Sequence, residues 1–87
     1  ASLSESHVNV YERYDNTYHT GASSVIINCP QEEDKYFMVY AYNGRTLLGS
    51  KSVRVPAGWT ESYAFQIHLS LVKDEPVPST VTLKVGN

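Results

Sequence analysis

Tyrosines at alternate positions are the clearest candidates for binding chemistry in this sequence. Tyr36, Tyr40 and Tyr42 fall at even-numbered positions of one apolar run, so a β-strand would place their rings on one face. Flat aromatic rings on a sheet can stack against sugar rings, with polar groups nearby for the hydroxyls. Trp59 follows Gly58 at a predicted turn, where an indole can stay exposed. These four aromatic residues form the candidate ligand-binding set, with a polysaccharide as one candidate ligand.

Two other interpretations of the aromatic residues remain open. Tyrosines stabilise sheets through cross-strand pairs, each contributing about 0.2–1 kcal/mol. Tyr and Trp also anchor protein interfaces. Tyr11, Tyr14 and Tyr18, in the first predicted strand and the connection after it, are open to the same interpretations. Burial of the rings would favour the structural role, and an accessible row would favour a sugar platform.

The residue types that enzymes use are not arranged for catalysis. No serine stands in a Gly-x-Ser-x-Gly context, and His7, His19 and His68 are far apart in the chain. We therefore expect a protein that is not an enzyme and that carries no cofactor. Cys29 is the only cysteine, so the chain cannot form an internal disulfide. Because it ends an apolar run just before Pro30, we expect a small buried side chain rather than a reactive thiol.

Metal binding is not predicted either. Neither His-x-His nor His-x-x-x-His spacing occurs. Asp15 and Asn16, or the acidic run 32–34, could offer oxygen ligands to Ca²⁺. The chain lacks the Asp-x-Asp-x-Asp pattern, and turn capping by these side chains explains the same residues. His68 falls among the polar positions of a predicted strand and is expected to face solvent.

Two-residue periodicity predicts the elements that position these residues, because successive side chains of a strand point to opposite faces. No window shows helical periodicity of useful length. Six or seven short strands at roughly ten-residue spacing predict an all-β fold, an antiparallel two-sheet sandwich. The strands are predicted over about 7–14, 23–28, 36–42, 46–55, 63–70 and 79–85, the second as a central strand. The connections are predicted at 15–21, 29–34, 56–58 and 73–78.

The dipeptide Asn43-Gly44 predicts a β-hairpin. It is the preferred loop of a type I′ turn, in which both central residues need a positive φ. Aromatic and β-branched residues flank it on both sides. A two-residue loop at this position predicts three cross-strand pairs: Tyr42 with Arg45, Tyr40 with Leu47, and Met38 with Gly49.

In the second strand of this hairpin, strict alternation and the burial of the valines require different arrangements of the side chains. Strict alternation would place Val53 and Val55 on the side of the tyrosines. A β-bulge within 49–52 would move both valines to the opposite side. The tyrosines would then face outward, and they would face inward without the bulge. We favour the bulged arrangement, whose core consists of Phe37, Val39, Ala41, Leu48, Val53 and Val55.

Length and composition limit the classes of protein to which this chain can belong. With 87 residues, of which 41% are hydrophobic and 18% charged, the sequence predicts one folded domain over 1–87. The net charge is −2 and the seven basic residues are scattered, so nucleic-acid binding is not expected. No apolar run is long enough to cross a membrane as a helix, so membrane insertion is not expected.

Residues 36–58 resemble immunoglobulin-like or fibronectin type III-like modules of bacterial extracellular proteins. The similarity rests on Met38-Val39-Tyr40 before Asn43-Gly44-Arg45, on Leu47-Leu48-Gly49, and on the valine-rich return through Val55 to Gly58. The chain departs from antibody-type domains, since it has no second cysteine and Trp59 lies at a turn. The resemblance implies an immunoglobulin-like sandwich in a secreted or cell-surface protein. It also implies a non-catalytic accessory role, as a spacer or in contact with neighbouring domains or a protein partner.

Overall fold

The computed structural model describes residues 2–14, 17–27, 29–71 and 76–86, and the regular structure in these ranges is entirely β-strand. The strands are β1 (Ser2–Leu3), β2 (His7–Tyr14), β3 (Thr17–Thr20), β4 (Ser23–Ile26), β5 (Lys35–Asn43), β6 (Thr46–Val55), β7 (Tyr63–Phe65), β8 (His68–Leu69) and β9 (Thr80–Gly86). They form two antiparallel sheets, of six strands in the order β6-β5-β9-β2-β3-β8 and of three strands in the order β1-β4-β7. The predicted all-β, two-sheet architecture is therefore confirmed. Among these residues no helix could span a membrane.

The strand predicted over 63–70 is in fact two strands that belong to different sheets. β7 pairs with β4, the central strand of the smaller sheet, whereas β8 pairs with β3 in the larger one. The chain changes sheets at Ile67, whose N–H donates to Thr20 Oγ1 at 3.0 Å. The Ile67 carbonyl accepts from the Thr20 N–H at 2.9 Å. The alternate side chains Phe65, Ile67 and Leu69 are nevertheless all buried.

Strand β3 occupies part of a predicted connection. It forms an antiparallel hairpin with β2, which pairs Val10 with Thr20 and Tyr11 with His19, and the register shifts between Glu12 and Tyr14. The predicted turn residues Asp15 and Asn16 lie outside the described residues, as does the stretch 72–75 of the later predicted loop. With β1, β3 and the division at Ile67, the described chain has nine strands rather than six or seven.

The hairpin of β5 and β6 is confirmed, but its loop lies one residue further along than predicted. Asn43 pairs with Thr46, so the two-residue loop is Gly44-Arg45. Gly44 has a φ of +62°, a conformation that costs glycine little because it has no Cβ. The predicted cross-strand pairs are therefore wrong. Tyr42 lies opposite Leu47, Tyr40 opposite Ser50, and Met38 opposite Ser52.

A β-bulge in β6 decides between the two predicted arrangements, and the tyrosines of β5 face outward. Leu48 is the extra residue, since Tyr42 pairs with Leu47 and Ala41 pairs with Gly49. The bulge thus lies just before the predicted stretch, and it has the predicted effect on the valines after it. Val53 and Val55 are buried on the same side as Val39. The predicted core set is confirmed, with Phe37 half-buried.

The two outer strands of the larger sheet meet, so this sheet curls towards a closed barrel. Ser70, just after β8, donates its N–H to the carbonyl of Leu48 in β6 at 2.8 Å. The backbone of β8 passes over Gly49, where an added Cβ would overlap the carbonyl oxygen of His68. Both sheets contribute to one core, whose buried hydrophobic side chains are Val8, Val25, Ile27, Val39, Ala41, Leu48, Val53, Val55, Phe65, Ile67, Leu69, Val81 and Leu83.

Candidate binding surface

The outward positions of β5 form an aromatic row, here called the tyrosine face: Tyr36, Met38, Tyr40 and Tyr42. Strand alternation explains it, because Val39 and Ala41 between them point inward and have no exposed surface. Tyr36 is 64% exposed and Met38 is 37% exposed. Tyr40 and Tyr42 are half-buried. Three of the four predicted site residues are thus brought together on one surface.

The strands on both sides of β5 supply polar neighbours to the tyrosine face. Across β6, Tyr36 lies opposite Arg54, while Met38 and Tyr40 lie opposite serines. Across β9, Tyr40 lies opposite Lys84. At the outward positions that pair with the tyrosine face on these two strands, the charged residues are Arg54 and Lys84, and both are cations.

The tyrosine rings do not present one flat platform. The ring centroids of Tyr40 and Tyr42 are 6.4 Å apart and their planes are inclined by 42°. Lys84 Nζ lies 5.6 Å from the centroid of the Tyr42 ring, within the range of a cation–π contact. The Tyr40 ring packs beside Gly86, where an added Cβ would lie 3.5 Å from Tyr40 Cε2. Parts of both rings are therefore occupied by contacts within the protein.

An ion pair lies at the Tyr36 end of this surface. Arg54 Nη2 donates to Asp34 Oδ2, and the N–H of Ala57 donates to Asp34 Oδ1 at 2.8 Å. The Ala57 hydrogen bond and then the Arg54 guanidinium lower the pKa of Asp34 below its ordinary value. Asp34, with a smaller contribution from Tyr36, raises the pKa of Arg54. Asp34 thus joins the loop before β5 to β6 and to the turn after it.

The lowered pKa of Asp34 predicts a dependence of stability on pH. A carboxyl whose pKa is lower in the folded state stabilises the fold above its unfolded pKa, for which the ordinary value is 3.8. This contribution is lost as the pH falls through the folded-state pKa. Urea unfolding of the wild type and Asp34→Asn should show a modest gap at neutral pH, since the pair is largely exposed. The gap should narrow below about pH 4.

The substitution Asp34→Asn is well suited to isolate the charge, because the asparagine oxygen can still accept the Ala57 hydrogen bond. Glu33→Gln provides the matched control, since it removes a neighbouring exposed charge. A gap between wild type and Asp34→Asn that stays constant from neutral to acidic pH would contradict this assignment.

Trp59, the fourth predicted residue, is not on β5 but in the connection between β6 and β7. It follows the turn at 57–58, where Gly58 has a φ of +76°, and its N–H donates to the Pro56 carbonyl at 3.2 Å. Its ring stands edge-on to that of Tyr63 in β7, with centroids 6.0 Å apart. Because β7 belongs to the three-stranded sheet, the ring of Trp59 packs against a strand of that sheet.

The structure tests two further predictions from the sequence, the burial of Cys29 and the exposure of His68. Cys29 is exposed, so the expected burial is wrong: β4 ends at Ile26, three residues before it. His68 faces solvent as expected. It is also the cross-strand neighbour of His19, which their separation in the chain did not suggest. Among the described residues, no cluster of three or more His, Cys, Asp and Glu side chains could hold a metal ion.

Comparison of the chain with protein-family models, with curated proteins and with solved structures found no significant match.

Proposed function

We propose that this chain is a non-catalytic accessory module of a larger secreted or cell-surface protein, and that its tyrosine face contacts a protein partner. The observation that carries the proposal is the outward row on β5, in which Tyr and Met side chains are flanked by two cations. Tyr combines a large contact area with a polar hydroxyl, and Met adapts its shape to an opposing surface. A hydroxyl at the tip of each ring allows a partly polar interface.

The charges of this surface indicate the chemistry of the partner. Lys84 and Arg54 are the charged residues paired with the row, and Asp34 already neutralises part of the Arg54 charge. A partner patch with apolar side chains and one or two carboxylates would complement it. A second copy of the same face would instead oppose cation to cation, which disfavours self-association through this surface.

The immunoglobulin-like assignment and the extracellular location are part of the same proposal. Their support is the resemblance of residues 36–58 to modules of bacterial extracellular proteins, together with the two-sheet antiparallel fold. The spacer role requires only a stable sandwich. The binding role requires the tyrosine face in addition.

Carbohydrate binding by Tyr36, Tyr40, Tyr42 and Trp59 is the second candidate function. The exposure of Tyr36 and the serines opposite Met38 and Tyr40 favour it. The inclination of 42° between the Tyr40 and Tyr42 rings and the lysine over Tyr42 disfavour it, because sugar stacking needs a flat and open ring. Trp59 is not on β5 and packs on Tyr63, so it does not extend the row of rings on that strand.

The test compares binding by the wild type with binding by Tyr36→Ala. A displayed peptide library selected on the wild-type protein should yield sequences that combine apolar residues with Asp or Glu. Tyr36→Ala should weaken binding of the selected peptides by roughly tenfold or more, as expected for an aromatic anchor. Tyr14→Ala is the matched control, because Tyr14 is 66% exposed and lies on β2.

The outcomes separate the two candidates. Peptide binding that is insensitive to Tyr36→Ala would contradict the protein-contact proposal. A panel of soluble polysaccharides, followed by tyrosine and tryptophan fluorescence, provides the second arm. A saturable change that Tyr36→Ala abolishes, without selectable peptides, would replace the proposal with a sugar platform.

A further inference from the structure

A second surface site, independent of the tyrosine face, lies where β3 and β8 meet β6. It is a pocket of about 280 Å³ lined by Arg13, His19, Lys51, Gln66 and His68, here called the basic pocket. Two of these side chains carry permanent positive charge, two are imidazoles and one is an amide. Each of them can present a hydrogen-bond donor to a ligand.

The register of the strands explains why the two histidines share the pocket. His19 and His68 are directly opposite each other in the β3–β8 pair, so their side chains lie on the same face. Tyr11 is opposite His19 in β2, and the two rings are 5.9 Å apart. Arg13 follows at the irregular step between Glu12 and Tyr14. Such a step re-aims the side chain of the extra residue.

Lys51 reaches the same place from the other edge of the sheet. The β8 backbone lies on the side of β6 where a Cβ of Gly49 would be, and Lys51 projects on that side two residues later. Its Nζ lies 3.4 Å from the Gln66 carbonyl oxygen, which holds the ammonium group beside β8. The curling of the six-stranded sheet is therefore what brings this lysine to the histidines.

The orientation of His19 leaves one ring nitrogen available to a ligand. Its Nδ1 lies 2.9 Å from the Thr20 carbonyl oxygen, which is an acceptor only, so Nδ1 carries a hydrogen. The other nitrogen, Nε2, is an acceptor in the neutral imidazole and a donor to an anion in the imidazolium form. Carbonyl contacts of this type fix which nitrogen of an imidazole faces the binding site.

The charges of the residues that line the pocket determine whether it attracts an anion or a cation. The described lining of the pocket contains no carboxylate. Glu12, the acidic residue next to Arg13, pairs with Tyr18 and so lies on the opposite face from the His19–His68 pair. A pair of histidines alone could suit a metal cation. Arg13 and Lys51 beside them repel a cation and attract an anion.

We propose that the basic pocket binds a tetrahedral oxyanion, a phosphate or sulfate group. The donors come from β2, β3, β6, Gln66 and His68, that is from several elements and not from one planar fork. This suits the three or four oxygens of a tetrahedral group better than the two of a carboxylate. Arg and Lys are the side chains that proteins most use for such groups. The group is either a free ion or an ester on a larger molecule.

Titration of the ¹⁵N-labelled protein at low ionic strength tests the proposal. Inorganic phosphate and inorganic sulfate represent the free ion, and phosphoserine and galactose 6-sulfate represent an ester. We expect saturable shifts confined to the amides around His19, Lys51, Gln66 and His68. Lys51→Gln should weaken phosphate binding by roughly tenfold, as loss of a charged hydrogen bond does. His68→Gln, at a second exposed position, should weaken it as well.

Arg45→Gln is the matched control, because it removes one positive charge at the hairpin loop. It should leave phosphate binding unchanged. An equal loss in Arg45→Gln and Lys51→Gln would show general charge attraction and overturn the proposal, as would shifts that are scattered or never saturate. Acetate that binds as tightly as phosphate would overturn the tetrahedral preference. Tighter binding of an ester than of its free ion would assign the pocket to a group on a larger ligand.

Discussion

Replacing Ile67 with alanine should lower the free energy of unfolding by about 3–4 kcal/mol. Ile67 has no exposed surface and is the largest of the fully buried side chains among the described residues. It stands where the chain passes from β7 to β8, so its side chain fills the core at the junction of the two sheets. Removal of three methylene or methyl groups leaves a cavity at a position whose backbone is held by two hydrogen bonds to Thr20, one to its hydroxyl and one from its N–H. A domain of this size has only about 4–13 kcal/mol of stability in total.

Urea unfolding followed by the fluorescence of Trp59, the only tryptophan, measures this effect. Ile67→Val should cost about 0.5–1.5 kcal/mol, because it removes one methyl group. Val77→Ala is the surface control, since Val77 is 45% exposed, and it should change stability by less than about 0.5 kcal/mol. Equal losses in Ile67→Ala and Val77→Ala would mean that Ile67 is not at the centre of the core.

Much of the fold could be predicted because apolar and polar residues alternate along a strand that is buried on one side only. The periodicity placed β2 and β9 closely, and it identified the inward valines of β6 through a bulge. What it missed depended on partners far away in the chain. Thr17–Thr20 contains only four residues, and it becomes a strand because β2 and β8 pair with it on both sides. The break at Ile67 likewise depends on hydrogen bonds to Thr20, 47 residues earlier.

The two candidate sites also differ in how far the sequence alone could predict them. The tyrosine face is a property of one strand, so spacing alone predicted that its rings share a side. The contact of the Trp59 ring with Tyr63 of β7 is one that no local pattern encodes. The basic pocket could not be predicted at all, because its residues come from positions 13, 19, 51 and 66–68. Only the β3 strand and the curling of the larger sheet bring them together.

Gly49→Ala should lower the free energy of unfolding by about 2–3 kcal/mol. Gly49 does not have a positive φ, so an alanine there is not disfavoured by backbone conformation. The cost comes from contact, because the new methyl group would overlap the carbonyl oxygen of His68 and lie 3.1 Å from Ile67 Cγ2. A backbone carbonyl cannot rotate away as a side chain can, so β8 must shift from β6. Thermal unfolding should shift down by roughly 10–20 °C.

Gly86→Ala separates this close contact from the general effect of adding a methyl group to a strand. A Cβ at Gly86 would lie 3.5 Å from the Tyr40 ring, which is an ordinary van der Waals distance. Alanine also lowers the conformational entropy of the unfolded chain, so this variant should be as stable as the wild type or slightly more so. If Gly49→Ala were as stable as Gly86→Ala, β6 and β8 would not pack as closely as the contact at Gly49 indicates. Because Lys51 on β6 and His68 on β8 line the same pocket, a destabilised but folded Gly49→Ala protein should also bind phosphate more weakly, whereas Gly86→Ala should not.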